Sequence, residues 1–238
     1  MYNQLKIEFY KLKTSIMYYL MLVLFAVIGV SYGIIKFVPG DISGGQGFIN
    51  TIGDTSFIFI LTLFVCYFVG SDFSNRTIHN DIKIGYSRLS VVLTRGIVVL
   101  PAVALSHLVY VFSTAVSVGI INGLGTEMSI QSMIAQSVLV FIQIMTIQSF
   151  SLLIMFLCKK SSLGMVLSVC FTFLTCNILR NFLGEENFLF KITSFYRIMM
   201  DFQSLTTNEI LLSFTSAIVT LIIIFCVTHI AFRKAELK

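Results

Sequence analysis

The residue groups that carry most enzymatic chemistry are missing from this sequence. It contains no G-x-x-x-x-G-K-[ST] phosphate-binding loop and no H-E-x-x-H zinc motif. Its five cysteines form no C-x-x-C pair, and four of them lie inside apolar runs. That pattern is typical of small packing residues rather than of a disulfide framework or a metal site. We therefore expect no catalytic residue, no metal site and no cofactor site in this chain.

A few ionisable residues lie within or beside apolar runs, where charge has a functional meaning by default. His107 is the candidate gating or substrate contact, and a neutral histidine hydrogen-bonded across helices is the alternative. Asp54 is expected at the outer end of one run and His229 at the inner end of another. Three such residues at different depths do not make a proton relay.

On the side that the charge distribution assigns to the cytosol, the longest well-charged stretch between two apolar runs is Asp72–Arg88, DFSNRTIHNDIKIGYSR, which we call the polar segment. Thr77 is predicted to begin a short helix with its hydroxyl on a free backbone N–H. Gly85 is predicted to end that helix and Ser87 to cap the next one. Ile78 and Ile82 would share its apolar face, near Phe73. Exposed polar side chains are predicted at Asp72, Asn75, Arg76, Asn80, Asp81 and Lys83. The alternative is an ordinary loop whose charges only orient the chain.

The composition of the chain indicates which kind of helix flanks the polar segment. Of 238 residues, 57% are hydrophobic and only 11% are charged, against about 25% charged in a soluble domain. Crossing a bilayer takes roughly 20 apolar residues per helix. Six runs meet that length, and they predict an all-α integral membrane protein. The predicted spans are 16–38, 52–70, 91–121, 132–157, 163–183 and 210–232.

The distribution of lysine and arginine predicts which ends of the six spans face the cytosol. With the N-terminus inside, 12 of the 16 basic residues but only 4 of the 11 acidic residues fall on inner segments. The net charge is then +8 inside and −3 outside, which agrees with the total of +5. This positive-inside bias predicts that both termini are cytosolic. The basic balance indicates contact with anionic lipids and no nucleic-acid partner.

Two further segments carry helical apolar stripes. In residues 1–15, Leu5, Phe9, Leu12 and Ile16 predict an amphipathic helix at the inner interface, ahead of a permease domain at 16–238. A solvated lead-in to the first span is the alternative. The outer segment 184–208 is too apolar for a plain loop, and we interpret it as a re-entrant or surface-lying helix. Its stripe consists of Phe188, Ile192, Phe195 and Met199.

Small residues also repeat at helical spacing. Gly29 and Gly33 form G-x-x-x-G in the first span, and the pattern Ala115, Gly119, Gly123 closes the third. Such faces allow helices to approach closely, which suits either a packed bundle or a dimer seam.

The polar segment resembles the signature of type-2 ABC exporter permeases. In that family F-x-N-G-T-I-x-N leads to a small residue, S-R, an apolar stretch and a basic residue. Arg76 replaces the usual glycine. The matching positions here are Phe73, Asn75, Thr77, Ile78, Asn80, Ser87, Arg88 and Arg95.

The resemblance implies the membrane half of an ATP-driven exporter in a bacterial cytoplasmic membrane. Two permease chains, identical or related, would form a dimer and pair with separate ABC ATP-binding subunits that hold ATP and Mg²⁺. Its coupling helix on the ATPase would use Phe73, Asn75, Arg76, Thr77, Asn80 and Arg88.

The small permease looks most similar to those of peptide-toxin exporters, such as the phenol-soluble modulin exporter, and of lantibiotic self-protection systems. The expected cargo is an amphipathic or hydrophobic substrate, such as a peptide toxin, bacteriocin or antimicrobial. A stand-alone channel or ion-driven carrier, and a non-transporting immunity or scaffold protein, are the competing hypotheses.

Overall fold

The computed structural model describes residues 1–125, 130–175 and 207–233, and every regular element among them is helical. This confirms the predicted all-α class. A π-helical turn at Gly33–Phe37 and a 3-10 turn at Val38–Gly40 prolong the second helix. The helices are α1 Tyr2–Thr14, α2 Ile16–Tyr32, α3 Gly44–Ile52, α4 Ile58–Ser74, α5 Thr77–Lys83, α6 Arg88–Asn122, α7 Ile130–Cys158, α8 Ser161–Phe173 and α9 Thr207–Arg233.

Four helical stretches in the described residues are long and apolar enough to cross a membrane: Ile16–Gly40, α6, α7 and Ile210–Arg233. A fifth is obtained if α4 and α5, which meet at 57°, count as one broken span. The shorter α8 covers the start of the predicted span 163–183, and residues 176–183 of that span lie outside the described residues. The predicted outer segment falls almost entirely outside them as well.

The centre of the bundle is α6. It packs against α1, α2, α3, α4, α5, α7 and α9. Within the most apolar window of each helix, 67% of α6 and 61% of α7 are buried, against 28% for the α2 stretch and 17% for α9. With 35 residues α6 is about 52 Å long, which exceeds the roughly 30 Å hydrocarbon core. α6 is thus longer than an apolar layer of that thickness requires.

The glycines of α2 let α6 approach closely. A Cβ on Gly29 would lie 2.5 Å from the carbonyl oxygen of Tyr110, and one on Gly33 would lie 2.5 Å from Ser117 Oγ. Thr114 Oγ1 donates a hydrogen bond across this contact to the carbonyl of Gly29, at 3.0 Å. The G-x-x-x-G face is thus used inside the bundle, and it is not free to form a dimer seam.

The predicted second span needs correction at its start. Ile52 ends the separate helix α3, and α4 begins only at Ile58 after a break that contains Asp54. Ser43 caps α3 by accepting from the Gln46 N–H, and the Gly44 N–H donates to the Gly123 carbonyl at 2.9 Å. The glycine-rich sequence of α3 does not predict a helix on propensity alone; its packing against α6 stabilises it.

Candidate coupling site

The polar segment forms a short helix at one end of the bundle. α5 begins at Thr77 as predicted, but its N-cap residue is Arg76, which makes no side-chain capping hydrogen bond. The helix ends at Lys83, and Gly85 follows with φ +102°. Ser87 caps α6 by accepting from the Ser90 N–H at 3.1 Å, as predicted.

Apolar residues hold α5 against the bundle. Ile78 is fully buried and Ile82 is half-buried against the same core. Phe73 at the end of α4 is buried and meets Phe156 of α7 edge-on, with ring centroids 5.4 Å apart. This confirms the predicted apolar face, because the 57° bend after α4 turns α5 back across the end of the helices.

The opposite face of the segment is open to its surroundings. Asn75, Arg76, Asn80 and Lys83 are exposed as predicted, and Thr77 is exposed as well. Arg76, Asn80 and Lys83 follow the i, i+4, i+7 spacing that places side chains on one helical face. The structure thus brings together five of the six residues assigned to coupling, with Phe73 as the buried anchor of this face.

Arg76 has a left-handed backbone, with φ 56° and ψ 21°. This region favours glycine, because the Cβ of an L-residue crowds the carbonyl that follows. The glycine of the family pattern falls at the same position. The turn geometry expected of that pattern is therefore present, although the side chain differs.

The prediction that Asp72 is exposed is wrong. Its side chain is 4% exposed and belongs to a buried group that we call the ion cluster: Glu8, Lys11, Asp72, Asp81 and Arg95. Arg95 Nε donates to Asp72 Oδ2 and Arg95 Nη2 donates to Asp81 Oδ2, both at 2.8 Å. Lys11 Nζ donates to Asp72 Oδ1 at 2.5 Å, and Glu8 Oε1 lies 3.4 Å from Arg95 Nη2. Four helices, α1, α4, α5 and α6, therefore meet at one arginine.

Asp81, which was also predicted to be exposed, points inward and is partly buried. Because Arg95 occupies both carboxylates of the polar segment, the charges left on its outer face are those of Arg76 and Lys83. The outer face of α5 is therefore cationic.

Burial raises the pKa of Glu8, and the neighbouring Asp72 and Asp81 carboxylates raise it further. Arg95 and Lys11 lower it, but they do not cancel the cost of burial. The sign follows from proton linkage: a carboxyl group with a raised pKa stabilises the fold in its neutral form, and that contribution is lost as pH rises through the folded-state pKa.

Helix α1 packs against the protein with a face that the sequence pattern did not identify. Its buried residues are Gln4, Glu8 and Leu12, whereas Phe9 is 53% and Ile16 75% exposed. The helix at residues 2–14 is confirmed, but polar contacts hold it. Ser90 Oγ of α6 donates a hydrogen bond to Gln4 Oε1, in addition to the ion pairs of Glu8 and Lys11.

Arg88, the sixth coupling candidate, lies apart from the exposed face. Its Nη1 donates to the carbonyls of Phe232 and Arg233, both at 2.7 Å, and its guanidinium lies 5.5 Å from the Phe232 ring. These are the last carbonyls of α9, which have no partner within their own helix. Arg88 thus joins the start of α6 to the end of the last described helix.

His107 lies elsewhere, about 18 Å along α6 from Arg95. It is 2% exposed, and its Nε2 lies 3.3 Å from the Ile52 carbonyl. Nearby, Tyr110 donates to Asp54 Oδ2 at 3.0 Å. This arrangement matches the alternative of a histidine bonded across helices, and the gating role stays a prediction.

The expectation that the chain has no G-x-S-x-G spacing is wrong. Residues 29–33 have the spacing G-x-S-x-G, but they lie in α2 and its π-helical extension, without the strand–turn–helix context that a nucleophile elbow requires. Ser31 is exposed on this helix. The motif is therefore a chance match that packing glycines produce.

Sequence reasoning also missed the ion cluster. One signal could have found it, since Arg95 falls inside the predicted span 91–121, and arginine at such a place is expected to have a carboxylate partner. The candidates Asp72 and Asp81 were close in sequence. Glu8 could not be identified in this way, because it comes from a helix 87 residues earlier in the chain.

No protein-family model and no curated protein matches this chain. The resemblance of the polar segment to type-2 permeases therefore stays a prediction.

Proposed function

We propose that this chain is the permease subunit of an ATP-driven exporter of the type-2 ABC class. It would cross a bacterial cytoplasmic membrane six times with both termini inside. Its ATPase partner would bind ATP and Mg²⁺ and dock on the exposed face of α5. A second permease chain would complete the transport unit, and an amphipathic or hydrophobic molecule would be the cargo.

The observation that carries the proposal is the two-sided character of α5. Its outer face presents exposed polar and cationic groups, while Ile78 and Asp81 fix its inner face to the bundle. A protein that pushes on such a helix displaces α4 and α6 with it, because the short joints at 75–76 and 84–87 leave little slack. An ordinary loop would absorb the displacement.

The partner's docking surface should be acidic. Arg76 and Lys83 lie on the same exposed face, and both carboxylates of the segment are occupied by Arg95. Complementary charge would speed docking and favour the correct partner. The binding energy itself would come from the exposed apolar Ile84 beside the cationic face, together with hydrogen bonds from Asn75 and Asn80.

The cargo proposal rests on the scarcity of charge within the spans. α7 carries no charged residue over its 29 residues, and α9 carries only Glu209 and Arg233, both near its ends. A pathway for a small ion would need charged or carbonyl-lined sites. An interior with so little charge suits a molecule that is itself largely apolar.

The test is to purify the tagged chain in mild detergent from its native host and to measure the ATP hydrolysis that copurifies. Wild type is expected to retain a subunit with a phosphate-binding loop. The double variant Arg76→Ala, Asn80→Ala should retain at least about tenfold less of it, a change equivalent to 1.4 kcal/mol.

Lys160→Ala is the matched control, because Lys160 is also an exposed cation, at the turn between α7 and α8. Its ATPase recovery should equal that of wild type. Transport by the purified chain without any ATPase would contradict the proposal and favour an ion-driven carrier.

A further inference from the structure

We propose that Arg95 fastens α1 to the polar segment through a Glu8 side chain that carries a proton, so that these two membrane-surface elements move as one body. The consequence for transport rests on the proposed function. The attachment itself can be measured on this chain alone.

The first argument is that the cations of the ion cluster are already committed. Arg95 uses Nε for Asp72 and Nη2 for Asp81, both at 2.8 Å, and Lys11 lies 2.5 Å from Asp72. Glu8 receives only the longer contacts, 3.4 Å to Arg95 and 4.0 Å to Lys11. Glu8 Oε2 is buried, and it has no hydrogen-bond partner in the part of the chain that the structure describes.

The second argument is charge balance. Three carboxylates face two cations, and Arg95, Asp72 and Glu8 each have side chains no more than 6% exposed. An uncompensated charge in a buried site costs free energy because water cannot solvate it. A buried carboxyl group usually avoids this cost by taking up a proton. Glu8 is the group with the weakest ionic contacts, and its pKa is raised, first of all by burial. A proton on Glu8 makes the cluster neutral.

The titratable neighbours of Glu8 come from every helix of the cluster. Lys11 belongs to α1, Asp72 to α4, Asp81 to α5 and Arg95 to α6. Two further polar contacts of α1 involve neutral partners: Lys11 Nζ donates to the Phe68 carbonyl at 3.1 Å, and Ser90 Oγ donates to Gln4 Oε1. The proton count of the attachment therefore depends on this one cluster.

The outer side of α1 indicates why the attachment has consequences. Ile7, Phe9 and Tyr10 are more than half exposed, so α1 presents an apolar surface that suits the membrane interface. Arg95 links that lipid-facing helix to the segment proposed to receive the ATPase. Arg95 and Glu8 are thus positioning residues, which carry the displacement of α5 into α1.

The experiment compares two isosteric changes of the same kind, Glu8→Gln and Asp72→Asn. Amide hydrogen exchange of residues 2–14 is measured in lipid nanodiscs at pH 7, without any ATPase. Glu8→Gln should keep the protection of α1 within about twofold, because glutamine reproduces the neutral side chain. Asp72→Asn breaks contacts to both Lys11 and Arg95 and should lower the protection at least about tenfold. Equal loss in the two variants would overturn the proposal.

A pH series keeps the proposal falsifiable if Asp72→Asn does not fold. After correction for intrinsic exchange rates, wild-type α1 should lose protection as pH rises through the folded-state pKa of Glu8, because the neutral form is the one that holds the cluster. Glu8→Gln should lack this step. The same step in both proteins would exclude Glu8 as its origin.

A third measurement separates coupling from simple stability. In a complex with the ATPase, Glu8→Gln should preserve transport per ATP hydrolysed. Arg95→Lys should lower it several-fold while ATPase binding stays normal, because lysine cannot reproduce the directed contacts of a guanidinium to Asp72, Asp81 and Glu8. Unchanged coupling in Arg95→Lys would contradict the positioning role. If no ATPase binds even to wild type, the proposed function fails while the exchange results still decide the attachment.

Discussion

Arg76 has a backbone conformation that suits glycine, and this leads to the first prediction. Arg76→Gly should raise the free energy of unfolding by about 1 kcal/mol, because the crowding of a Cβ at φ 56° is removed. Thermal unfolding followed by circular dichroism in detergent measures the change. If the side chain also contacts the ATPase, the same variant should recover less ATPase while being more stable.

Asn75→Gly is the control for this variant. Asn75 is exposed next to Arg76, but its φ is −85°, so that glycine relieves no strain there. The control should be neutral or slightly destabilising. A gain as large as that of Arg76→Gly would mean that the left-handed backbone is not the cause.

Arg88 carries a second residue-scale prediction. Arg88→Ala removes two hydrogen bonds from a charged donor to the carbonyls of Phe232 and Arg233, and it should cost about 1.5–3 kcal/mol. Lys83→Ala, which removes an exposed cation of the same segment, should cost little. If the two variants unfold at the same temperature, the contact between Arg88 and α9 does not contribute to stability.

Some residue roles could be predicted from local sequence and others could not. Ser87 and Gly85 were identified correctly, because caps and helix ends depend on a few neighbouring residues. Asp72 was placed on the surface because a charged residue beside a span is usually solvated. Its burial depends on Arg95 and Lys11, whose approach is a property of the folded chain, and only the position of Arg95 inside a predicted span hinted at it.

At the scale of elements, the contact between α2 and α6 leaves no room for a larger side chain at Gly29 or Gly33. Gly29→Ala would place a Cβ 2.5 Å from the Tyr110 carbonyl, a backbone atom that cannot move aside by rotating a side chain. The variant should lose about 1–3 kcal/mol of stability and should weaken the bond between Thr114 and the Gly29 carbonyl. The thermal midpoint in detergent reports the loss.

Gly40→Ala is the matched control for this contact. A Cβ there would find only ordinary contact at 3.7 Å, with Ile42. The control should leave the midpoint within a degree or two. A similar loss in both variants would mean that glycine flexibility, rather than the close approach of two helices, matters at Gly29.

Helix α1 shows where pattern reasoning loses its power. The spacing of Leu5, Phe9 and Leu12 predicted the helix, and the helix is present. The same spacing predicted an amphipathic helix at the membrane interface, and the exposure of Phe9 and Ile16 is compatible with that placement. The spacing did not predict that Gln4, Glu8 and Leu12 pack against the protein, because periodicity alone does not identify the polar partners that a buried Glu8 finds on other helices.

At the scale of the whole molecule, the proposed topology predicts on which side each loop lies. In a cysteine-free background, Lys83→Cys should not react with a membrane-impermeant maleimide added to intact cells, whereas Asn50→Cys in α3 should react. Both positions are exposed, so a difference in labelling reports sidedness. Labelling of Lys83→Cys from outside would reverse the orientation derived from the positive-inside rule.

Composition was enough to predict an all-helical membrane protein, because so little charge cannot cover a soluble globule. It was not enough to place every span boundary. The predicted second span begins at Ile52, yet residues 53–56 are Gly, Asp, Thr and Ser, and the chain ends α3 and turns there before α4. The separate helix α3 packs against α6, a contact between residues far apart in sequence that composition does not reveal.

The length of α6 has a mechanical consequence. A helix of about 52 Å behaves as a rod. The ion cluster binds it at Arg95, near its start, and α3 packs against it near its end. If such a rod pivots by about 5° at Arg95, its far end, about 40 Å away, moves by about 3.5 Å. A displacement of about 1 Å at Arg88 would then be enough to shear the contacts of Gly44 and Asn122 at the far end, with no residue in between changing its conformation.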